Sequence, residues 1–354
     1  MLLERTLLLF ASCHGSERHV ANKDLIVIGG SAGSHSALRK ILSGLPANLP
    51  ATILIVTHVP RSSPSHLAEA LASAGPLRVS RAVDGQPLEQ GQVYTAVPDR
   101  HLLLVDGIMR LGDGPRENMA RPAIDPLFRS AALAYGPRAV GVILSGLLND
   151  GASGLSAIKA CGGTAIVQHP LDADADEMPL AALETVQADN VAPASDLASL
   201  LVALTTTDAG EPTSCPDNLV LEVEIAAGAR LGSEALRRIA VPSALSCPDC
   251  EGVLSEIRDE EPLRYRCQIG HAMSAEVLAA RQDEVVHAMR VALRIMEERV
   301  TLVTRMAEDA RSNGRAAVAE LYEKRAIEYT RYANVLRDAA VTSLRESQNV
   351  PGQP

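Results

Sequence analysis

The chain has 354 residues, a formal net charge of −10 and only 2% aromatic residues, with no tryptophan. A length of this order allows two or three domains and at least one sizeable core. The acidic balance argues against a duplex-binding protein, because neutralising phosphates requires a basic surface. The scarcity of aromatic rings argues against base stacking on single strands. These features argue against a function in nucleic-acid binding.

The N-terminal segment differs from a secretory signal. Its apolar patch, residues 7–11, is short and follows Glu4, whereas a signal starts basic and has a longer apolar core. No apolar run elsewhere reaches the ~18–20 residues that a membrane-spanning helix needs. We therefore predict a disordered extension over residues 1–22 and a cytoplasmic protein without membrane insertion.

Short apolar runs alternate with helical stretches over residues 23–206, which we expect to form one domain. The predicted strands are 24–29, 51–57, 93–97, 139–144 and 164–168, with a hairpin over 101–111 around Asp106-Gly107. The predicted helices are 34–44, one from about Ser65, 124–135, 152–161, 179–186 and 194–204. Strands that alternate with helices predict a mostly parallel, doubly wound α/β sheet covered on both faces.

The C-terminal third has a different organisation. Residues 207–243 lack long periodic runs and are predicted to be a linker, in which 218–226 could be a strand. Residues 244–273 contain a cysteine cluster. Over 274–345, apolar residues at spacings of three and four predict a helical hairpin or coiled coil, with a turn at 312–314. We expect this hairpin to mediate oligomerisation or to bind a regulatory partner.

A candidate nucleophile follows the first predicted strand. Gly29-Gly30-Ser31-Ala32-Gly33 has the form G-x-S-x-G between a strand and a helix. In a nucleophile elbow, small residues flank a serine that a sharp turn holds in a strained, exposed position. A phosphate-binding turn or a plain strand-to-helix turn are the alternatives. The dinucleotide fingerprint would need glycine at Ser31, and a P-loop would need Gly-Lys-Ser/Thr.

A serine nucleophile needs an imidazole as base and a carboxylate to orient that imidazole. His58 ends the second predicted strand, and Asp150 follows the 139–144 strand in a glycine-containing loop. His169 also ends a strand and would give the chain order of the α/β-hydrolases. His66 and His101 are further possibilities. Spacing alone leaves the choice between His58 and His169 open.

Five blocks in the chain resemble, in order, the catalytic domain of the chemotaxis protein-glutamate methylesterases, over about residues 24–205. They are IGGSAG at 28–33, VTHVP at 56–60, VY at 93–94 leading to PDRH at 98–101, RPAIDPLFRSAA at 121–132 and LSGLLNDG at 144–151. The resemblance implies a parallel α/β fold and hydrolysis of receptor glutamate methyl esters with release of methanol. It also implies receptor glutamine deamidation as a possible second activity, and no catalytic cofactor.

The same resemblance implies a triad of Ser31, His58 and Asp150. The family usually has an acidic residue at the position of His169, which favours His58 as the base. Leu147 occupies the position that lends a backbone N–H near the triad, where the family has methionine.

The chain departs from the family pattern at several points. The family usually has Ser-Thr-Gly-Gly where this chain has Ser31-Ala32-Gly33-Ser34, and it commonly has histidine where this chain has Ala120. Only about 23 residues precede the first strand, too few for a receiver domain. We therefore expect no regulation by a phospho-aspartate within this chain.

The cysteine cluster predicts a metal site. Cys247 and Cys250 form Cys-x2-Cys and, after sixteen intervening residues, Cys267 and His271 form Cys-x3-His. Clustered cysteines with a histidine in a cytosolic chain favour a metal over disulfides. Four protein ligands leave no open position on zinc, so we predict a structural zinc in a ribbon-like module. The ribbon and the helices also resemble the tail of some receiver-lacking methylesterase homologues.

The leading hypothesis is therefore an enzyme that demethylates chemoreceptor-like signalling proteins. One alternative is an esterase-fold scaffold with weak or lost activity that binds a partner through its C-terminal helices. Another is a carboxylesterase for small molecules on the same fold.

Overall fold

A computed structural model gives the conformation of most of the chain. The described residues are 21–59, 66–229, 233–258, 261–280 and 282–348. The predicted N-terminal extension lies almost entirely outside them. The chain divides into two compact units, one that runs to Val277 and one that starts at Leu278.

Among its described residues, the first part of the first unit contains nine strands. In chain order they are β1 Leu25–Gly30, β2 Thr52–Thr57, β3 Arg78–Arg81, β4 Gln92–Thr95, β5 His101–Val105, β6 Ile108–Gly112, β7 Ala139–Ile143, β8 Thr164–Gln168 and β9 Asn190–Ala192. Seven of them build a parallel sheet in the order β3-β4-β2-β1-β7-β8-β9. Strands β5 and β6 form a separate antiparallel hairpin.

Helices cover both faces of the sheet. They are α1 Ser34–Gly44, α2 Leu67–Leu71, α3 Ile124–Tyr135, α4 Ala152–Ala160, α5 Glu177–Thr185 and α6 Ala194–Leu204. Because side chains alternate along a strand, β1 contributes Leu25 and Val27 to the core beneath α3, α4 and α5, and Ile26 and Ile28 to the core beneath α1, α2 and α6. The predicted doubly wound α/β sheet is confirmed.

The two edge strands β3 and β9 were not predicted. They have four and three residues, and most of their side chains are exposed or half-buried. A short edge strand lacks the continuous apolar run that marks the buried central strands. The sequence therefore has little to distinguish these two strands from loops.

The segment predicted as a linker contains two helices, α7 Asn218–Ala226 and α8 Ser233–Ile239. The suggestion that 218–226 could be a strand is wrong. Its alternating apolar and acidic residues resemble a strand pattern, but helical packing buries Leu219, Glu222 and Val223. Tertiary contacts override local preference here.

A small antiparallel sheet follows, formed by β10 Ala240–Ser246, β11 Val253–Ile257, β12 Arg264–Cys267 and β13 Ala272–Ser274. It is the ribbon-like module of the prediction, and it begins at Ala240 rather than at residue 244. Helix α9, Ala275–Ala280, follows β13 directly.

The second unit contains two long helices, α10 Gln282–Ser312 and α11 Ala316–Gln348. Gly314 turns the chain between them at φ 71°. Val303, Ala307, Ala310, Ala319 and Ala333 are buried in this unit. Arg337 on α11 contacts Glu297 on α10 at 2.7 Å. The predicted helical hairpin is confirmed.

Cys161 and Cys215 form a disulfide that joins the end of α4 to the segment before α7. No pairing was predicted for these two cysteines, which lie outside the Cys-x2-Cys and Cys-x3-His motifs. Across the described residues, the structure has no helix that combines the length and the apolar character of a membrane span.

Candidate active site and metal site

The three residues of the predicted triad lie at the carboxyl edge of the parallel sheet. Ser31 follows β1, His58 follows β2, and Asp150 lies in the loop after β7. These strands are neighbours in the order β2-β1-β7. Because parallel strands end at the same edge, residues that are far apart in sequence converge there.

The three side chains form a hydrogen-bonded chain. The Oγ of Ser31 lies 3.1 Å from Nδ1 of His58, and Nε2 of His58 lies 2.7 Å from Oδ2 of Asp150. A carboxylate only accepts hydrogen bonds, so Nε2 carries the proton of the neutral imidazole and Nδ1 can accept from the serine hydroxyl. The His58 side chain is 24% exposed, whereas that of Asp150 is 3% exposed.

Four donors hold the Asp150 carboxylate. Oδ2 accepts the backbone N–H of Ile124 at 2.7 Å in addition to His58. Oδ1 accepts Nδ2 of Asn118 at 3.0 Å and the N–H of Asp125 at 3.3 Å. Burial disfavours the charged form, but the bond from His58 and the other donors outweigh it and hold the pKa of Asp150 below its ordinary value. Asp150 is therefore an ionised, firmly oriented partner for His58.

The turn at Ser31 differs in detail from the predicted nucleophile elbow. Ser31 does not adopt a positive φ; Gly33, two residues later, does so at φ 76°. The N–H of Ser31 donates to the carbonyl of Ser145 at 2.9 Å. The hydroxyl of Ser34 donates to the carbonyl of Ser31 at 2.7 Å. Ser31 is thus held by its neighbours rather than by backbone strain.

The glycine loop after β7 lies against the nucleophile. A Cβ on Gly146 would lie 2.0 Å from Sδ of Met178 and 3.0 Å from Cβ of Ser31, so no side chain fits there. The next residue, Leu147, has a half-exposed side chain. Its backbone N–H makes no hydrogen bond to any residue that the structure describes, which leaves this donor available near the triad.

An open cleft of about 490 Å³ gives access to the serine. Ser31, His58 and Asp150 line it together with Val59, Asp99, Arg116, Asn118, Met119, Ala120, Arg121, Leu147 and Leu148. A cleft of this size accommodates a ligand as large as a glutamyl side chain and its neighbours. Arg121 is held at its wall by two hydrogen bonds to Oδ1 of Asp99.

The other candidate histidines lie elsewhere. His169 directly follows β8, and its Nδ1 accepts the N–H of Leu171 at 3.2 Å. His101 is fully buried; Nε2 bonds to the carbonyl of Pro115 and Nδ1 accepts from Ala123. Burial lowers the pKa of His101. His66 precedes α2 and is exposed. Of these histidines, His58 is the one that the structure brings into contact with Ser31.

The four predicted metal ligands also converge. Their ligand atoms all lie within 4.8 Å of one another. Sγ of Cys250 lies 3.6 Å from Sγ of Cys267, and Nδ1 of His271 lies 3.8 Å from Sγ of Cys247 and 3.5 Å from Sγ of Cys267. A tetrahedral zinc with Zn–S bonds of about 2.3 Å has ligand separations of roughly 3.8 Å. The four residues fit such an ion.

The thiols of this site would need a cation in order to ionise. Burial raises the pKa of Cys247 to about 12 and raises that of Cys267. Packed together without a cation, these thiols keep their protons, because a thiolate beside other sulfurs in a buried site is costly. A divalent metal would supply the charge that stabilises the thiolates.

A cluster of five buried charged residues, which no sequence pattern indicated, lies close to the triad. We name this set the buried charge cluster: Glu117, Arg129, Glu222, Arg264 and Arg266. Glu222 contacts Arg266, Arg264 at 2.8 Å and Arg129 at 3.5 Å. Glu117 contacts Arg129, and Arg266 at 3.1 Å. The cluster joins α3, α7 and β12 through side chains that are at most 2% exposed.

Asn118 and Asp125 were also missed, although both surround Asp150. The Asp125 carboxylate accepts backbone N–H groups of Gly151 and Gly154 and the amide of Asn118. Burial and the adjacent Asp150 charge raise the pKa of Asp125 to about 6. An acidic residue in the otherwise apolar start of α3 was a signal that could have identified Asp125. No sequence signal of this kind marks Asn118.

A serine, a histidine and an aspartate connected in this way are typical of the serine hydrolases. Comparison with known proteins defines the family. Residues 26–201 match the family model described as CheB methylesterase. A putative protein-glutamate methylesterase/protein-glutamine glutaminase of Leptospira interrogans is 38% identical over 184 residues, which are 52% of this chain and 95% of the relative. The chain belongs to the CheB methylesterase family.

Longer relatives match over a similar share of the chain. The protein-glutamate methylesterase/protein-glutamine glutaminase 2 of Anaeromyxobacter dehalogenans is 40% identical over 52% of this chain and 54% of its own length. The Moorella thermoacetica protein-glutamate methylesterase/protein-glutamine glutaminase is 41% identical over 52% of this chain and 44% of its own length. The chain thus spans about half the length of these two relatives.

A solved structure matches the same share of the chain. The CheB methylesterase catalytic domain of Thermotoga maritima aligns with a TM-score of 0.50 and 34% sequence identity, over 52% of this chain and all of that domain. The similarity accounts for the parallel sheet and its helices.

Proposed function

We propose that this protein hydrolyses glutamate methyl esters on chemoreceptor-like signalling proteins, with Ser31 as nucleophile, His58 as general base and acid, and Asp150 as the orienting carboxylate. The observation that carries the proposal is the continuous hydrogen-bonded chain from Ser31 through His58 to Asp150, three residues that line the cleft. The names of the relatives, protein-glutamate methylesterase/protein-glutamine glutaminase, support the choice of substrate.

In the first half of the reaction, Oγ of Ser31 attacks the ester carbonyl carbon while Nδ1 of His58 takes the hydroxyl proton. Asp150 stabilises the imidazolium through Nε2–H. The tetrahedral intermediate collapses as the bond between the carbonyl carbon and the methoxy oxygen breaks. That oxygen takes the proton from Nδ1 and leaves as methanol, and the glutamyl group stays esterified to Ser31.

In the second half, a water molecule gives a proton to Nδ1 of His58 and attacks the glutamyl ester. The bond to Oγ then breaks, and Oγ recovers the proton from His58. The products are the glutamate carboxylic acid, which ionises, and the free serine. With a glutamine amide as substrate the same steps release ammonia in place of methanol, which corresponds to the second activity in the names of the relatives.

Negative charge develops on the carbonyl oxygen in both halves. The N–H of Ser31 is bonded to Ser145, so it does not serve as a donor to this oxygen. Leu147 lines the cleft beside Ser31, and we assign its backbone N–H as the donor to the oxyanion. A preorganised donor of this kind typically contributes ~10²–10³-fold to the rate.

The ribbon-like module is proposed to bind a structural zinc through Cys247, Cys250, Cys267 and His271. When bound, the ion would neutralise the thiolates and hold β10–β13 together, with no open position for substrate. In metal analysis, we expect one zinc per chain in the wild type and none in a Cys247→Ser variant. Ile269→Ala changes an exposed side chain between two ligands and should retain the metal. Full zinc content in Cys247→Ser would refute the site.

We also propose a cytoplasmic location, as predicted from the sequence. The helical hairpin α10–α11 is proposed as the surface for oligomerisation or for a regulatory partner. The exposed apolar side chains of Leu302, Leu321, Ile327 and Val335 on these helices support a protein contact.

The decisive experiment measures methanol release from methylated receptor fragments, together with labelling of Ser31 by a fluorophosphonate. The wild type should do both, and Ser31→Ala should lose at least ~10⁴-fold in methanol release. Ser36→Ala removes an exposed hydroxyl five residues away and serves as the control. Full methanol release by Ser31→Ala would overturn the assignment. Labelling without methanol release would favour a small-molecule carboxylesterase, and neither signal would favour the scaffold hypothesis.

A further inference from the structure

A tight turn over residues 116–120 lies between the triad and the ribbon-like module. Glu117 and Ala120 close it with two backbone hydrogen bonds of 3.2 and 2.9 Å. The two central residues, Asn118 at φ 47° and Met119 at φ 62°, are both left-handed. Asparagine adopts this conformation more readily than most residues with a Cβ, but it is unfavourable for methionine. It persists only where surrounding contacts determine it.

Strand β13 of the ribbon-like module supplies those contacts. The N–H of Asn118 donates to the carbonyl of Ala272 at 2.9 Å, and the N–H of Ala272 donates to the carbonyl of Arg116 at 3.2 Å. The N–H of Ser274 donates to Oδ1 of Asn118 at 3.2 Å. Both the backbone of the turn and the amide of Asn118 are thus anchored to a segment about 155 residues later in the chain.

The anchored amide in turn holds the triad carboxylate. Nδ2 of Asn118 donates to Oδ1 of Asp150 and to Oδ2 of Asp125, each at 3.0 Å. The residue before Asp150 is held from the same strand, because the hydroxyl of Ser274 donates to Oδ1 of Asn149 at 2.8 Å. Strand β13 therefore fixes two residues that determine where the Asp150 carboxylate points.

Strand β13 begins directly after a predicted metal ligand. His271 precedes Ala272, and the N–H of Cys267 donates to the carbonyl of His271 at 2.9 Å, so two ligands close the hairpin of β12 and β13. Arg266, next to Cys267, also contacts Glu117 of the turn at 3.1 Å. An ion held by these ligands would fix the start of β13 and, through it, the 116–120 turn.

We propose that Asn118 is a positioning residue for Asp150, and that a divalent metal at Cys247, Cys250, Cys267 and His271 keeps the triad assembled by fixing β13. The ion takes no part in the ester hydrolysis and lies outside the reaction steps. This inference rests on the proposed function, since it assigns an organising role around the same triad.

The first test removes the Asn118 amide without straining the turn. Glycine adopts left-handed φ values freely, so Asn118→Gly keeps the backbone while it deletes the donor to Asp150. We expect kcat and the rate of Ser31 labelling to fall by about 10- to 100-fold, the effect of one hydrogen bond to a charged group, with KM unchanged. The low-field proton NMR signal of the His58–Asp150 hydrogen bond should shift, which a purely structural substitution would not cause.

The second test removes the metal. In the wild type, stepwise zinc removal by a chelator should slow Ser31 labelling in proportion to the zinc lost. Hydrogen exchange of residues 116–120 should accelerate in parallel, because the N–H of Asn118 loses a fixed acceptor. Zinc added back should reverse both effects. Cys247→Ser should behave as the zinc-free wild type, and Ile269→Ala should behave as the zinc-loaded wild type.

The outcomes separate the inference from the proposed function. A wild type that neither labels at Ser31 nor releases methanol refutes the function and the inference together. An active wild type whose labelling and hydrogen exchange do not respond to zinc removal overturns the metal dependence alone. An active wild type with an unchanged Asn118→Gly variant overturns the role of Asn118. If Cys247→Ser does not fold, the chelator titration of the wild type decides the metal dependence.

Discussion

Two buried carboxylates in the first unit, Asp150 and Glu222, have the same solvent exposure to within a few per cent, at 3% and 0%. Both have a pKa below the ordinary value. The pKa of Asp150 is lowered by His58 and by neutral hydrogen-bond donors. His58 in turn is hydrogen-bonded to Ser31 in an open cleft. The pKa of Glu222 is lowered by the guanidinium groups of the buried charge cluster. Burial alone does not identify a catalytic carboxylate; the partner that connects it to the cleft does.

Asp150→Asn should have the largest effect. The amide of this variant would face Nε2 of His58 with either an N–H group or an oxygen and would no longer enforce the reactive tautomer. We expect kcat for methanol release to fall by about 10⁴-fold. Asp106→Asn, in the β5–β6 turn at φ 52°, is the control, because asparagine tolerates the same backbone. A loss below tenfold in Asp150→Asn would show that Asp150 is no more than a structural carboxylate.

Glu222→Gln should affect folding instead of chemistry. It leaves the three guanidinium groups with Glu117 as their remaining carboxylate within the cluster. We expect the free energy of unfolding to fall by about 3–5 kcal/mol, the range for removing one partner of a buried ion pair. Urea denaturation measures it, and Glu224→Gln on the same helix should stay within about 0.5 kcal/mol. An unchanged unfolding midpoint for Glu222→Gln would contradict the assigned role of the cluster.

Acidification should lower the free energy of unfolding through the carboxylates of the buried charge cluster. The arginines lower the pKa of Glu222 and Glu117 against the effect of burial. Their contribution to stability is therefore complete above the ordinary pKa of about 4.5 and is lost as the pH falls through the folded-state value. Between about pH 5 and pH 3.5, Glu222 alone should cost the wild type about 1 kcal/mol. The pKa of Asp125 is raised to about 6, so its contribution to the free energy of unfolding increases as the pH falls.

The comparison that isolates Glu222 is the difference between the wild type and Glu222→Gln over this pH range. Asp125 is present in both proteins, so its contribution largely cancels. Glu117 is also present in both, but the Glu222 charge raises its pKa; removing that charge lowers the pKa of Glu117 further, which offsets part of the Glu222 effect. The gap in unfolding free energy should narrow on acidification, as measured by urea midpoints at each pH. A gap that stays constant or widens would show that Glu222 does not have a depressed pKa in the folded state.

His169→Ala should have the smallest effect. His169 lies at the same edge of the sheet as the triad, but its Nδ1 accepts from Leu171 and not from Ser31. We expect methanol release within about twofold of the wild type, whereas His58→Ala should abolish it. A loss in His169→Ala as large as that in His58→Ala would reverse the assignment of the base.

Much of the sheet could be predicted because its strands are continuous apolar runs. Helices at 124–135 and 194–204 and the strand at 164–168 coincide with the observed α3, α6 and β8. The sequence did not predict the edge strands β3 and β9 or the helix α7, because these elements depend on pairing with distant segments or on burial against them. The three residues assigned to the triad were selected by family resemblance, since spacing alone left His58 and His169 equal.

What the sequence determined by itself is local: which runs are apolar, which turns contain glycine, and which cysteines and histidines recur at ligand spacing. Only the tertiary structure decided that β13 reaches the turn of Asn118 and that Arg266 meets Glu117, 149 residues earlier in the chain. The physical reason is that such contacts come from the packing of whole elements. The local sequence around a residue does not indicate which distant residue it will contact.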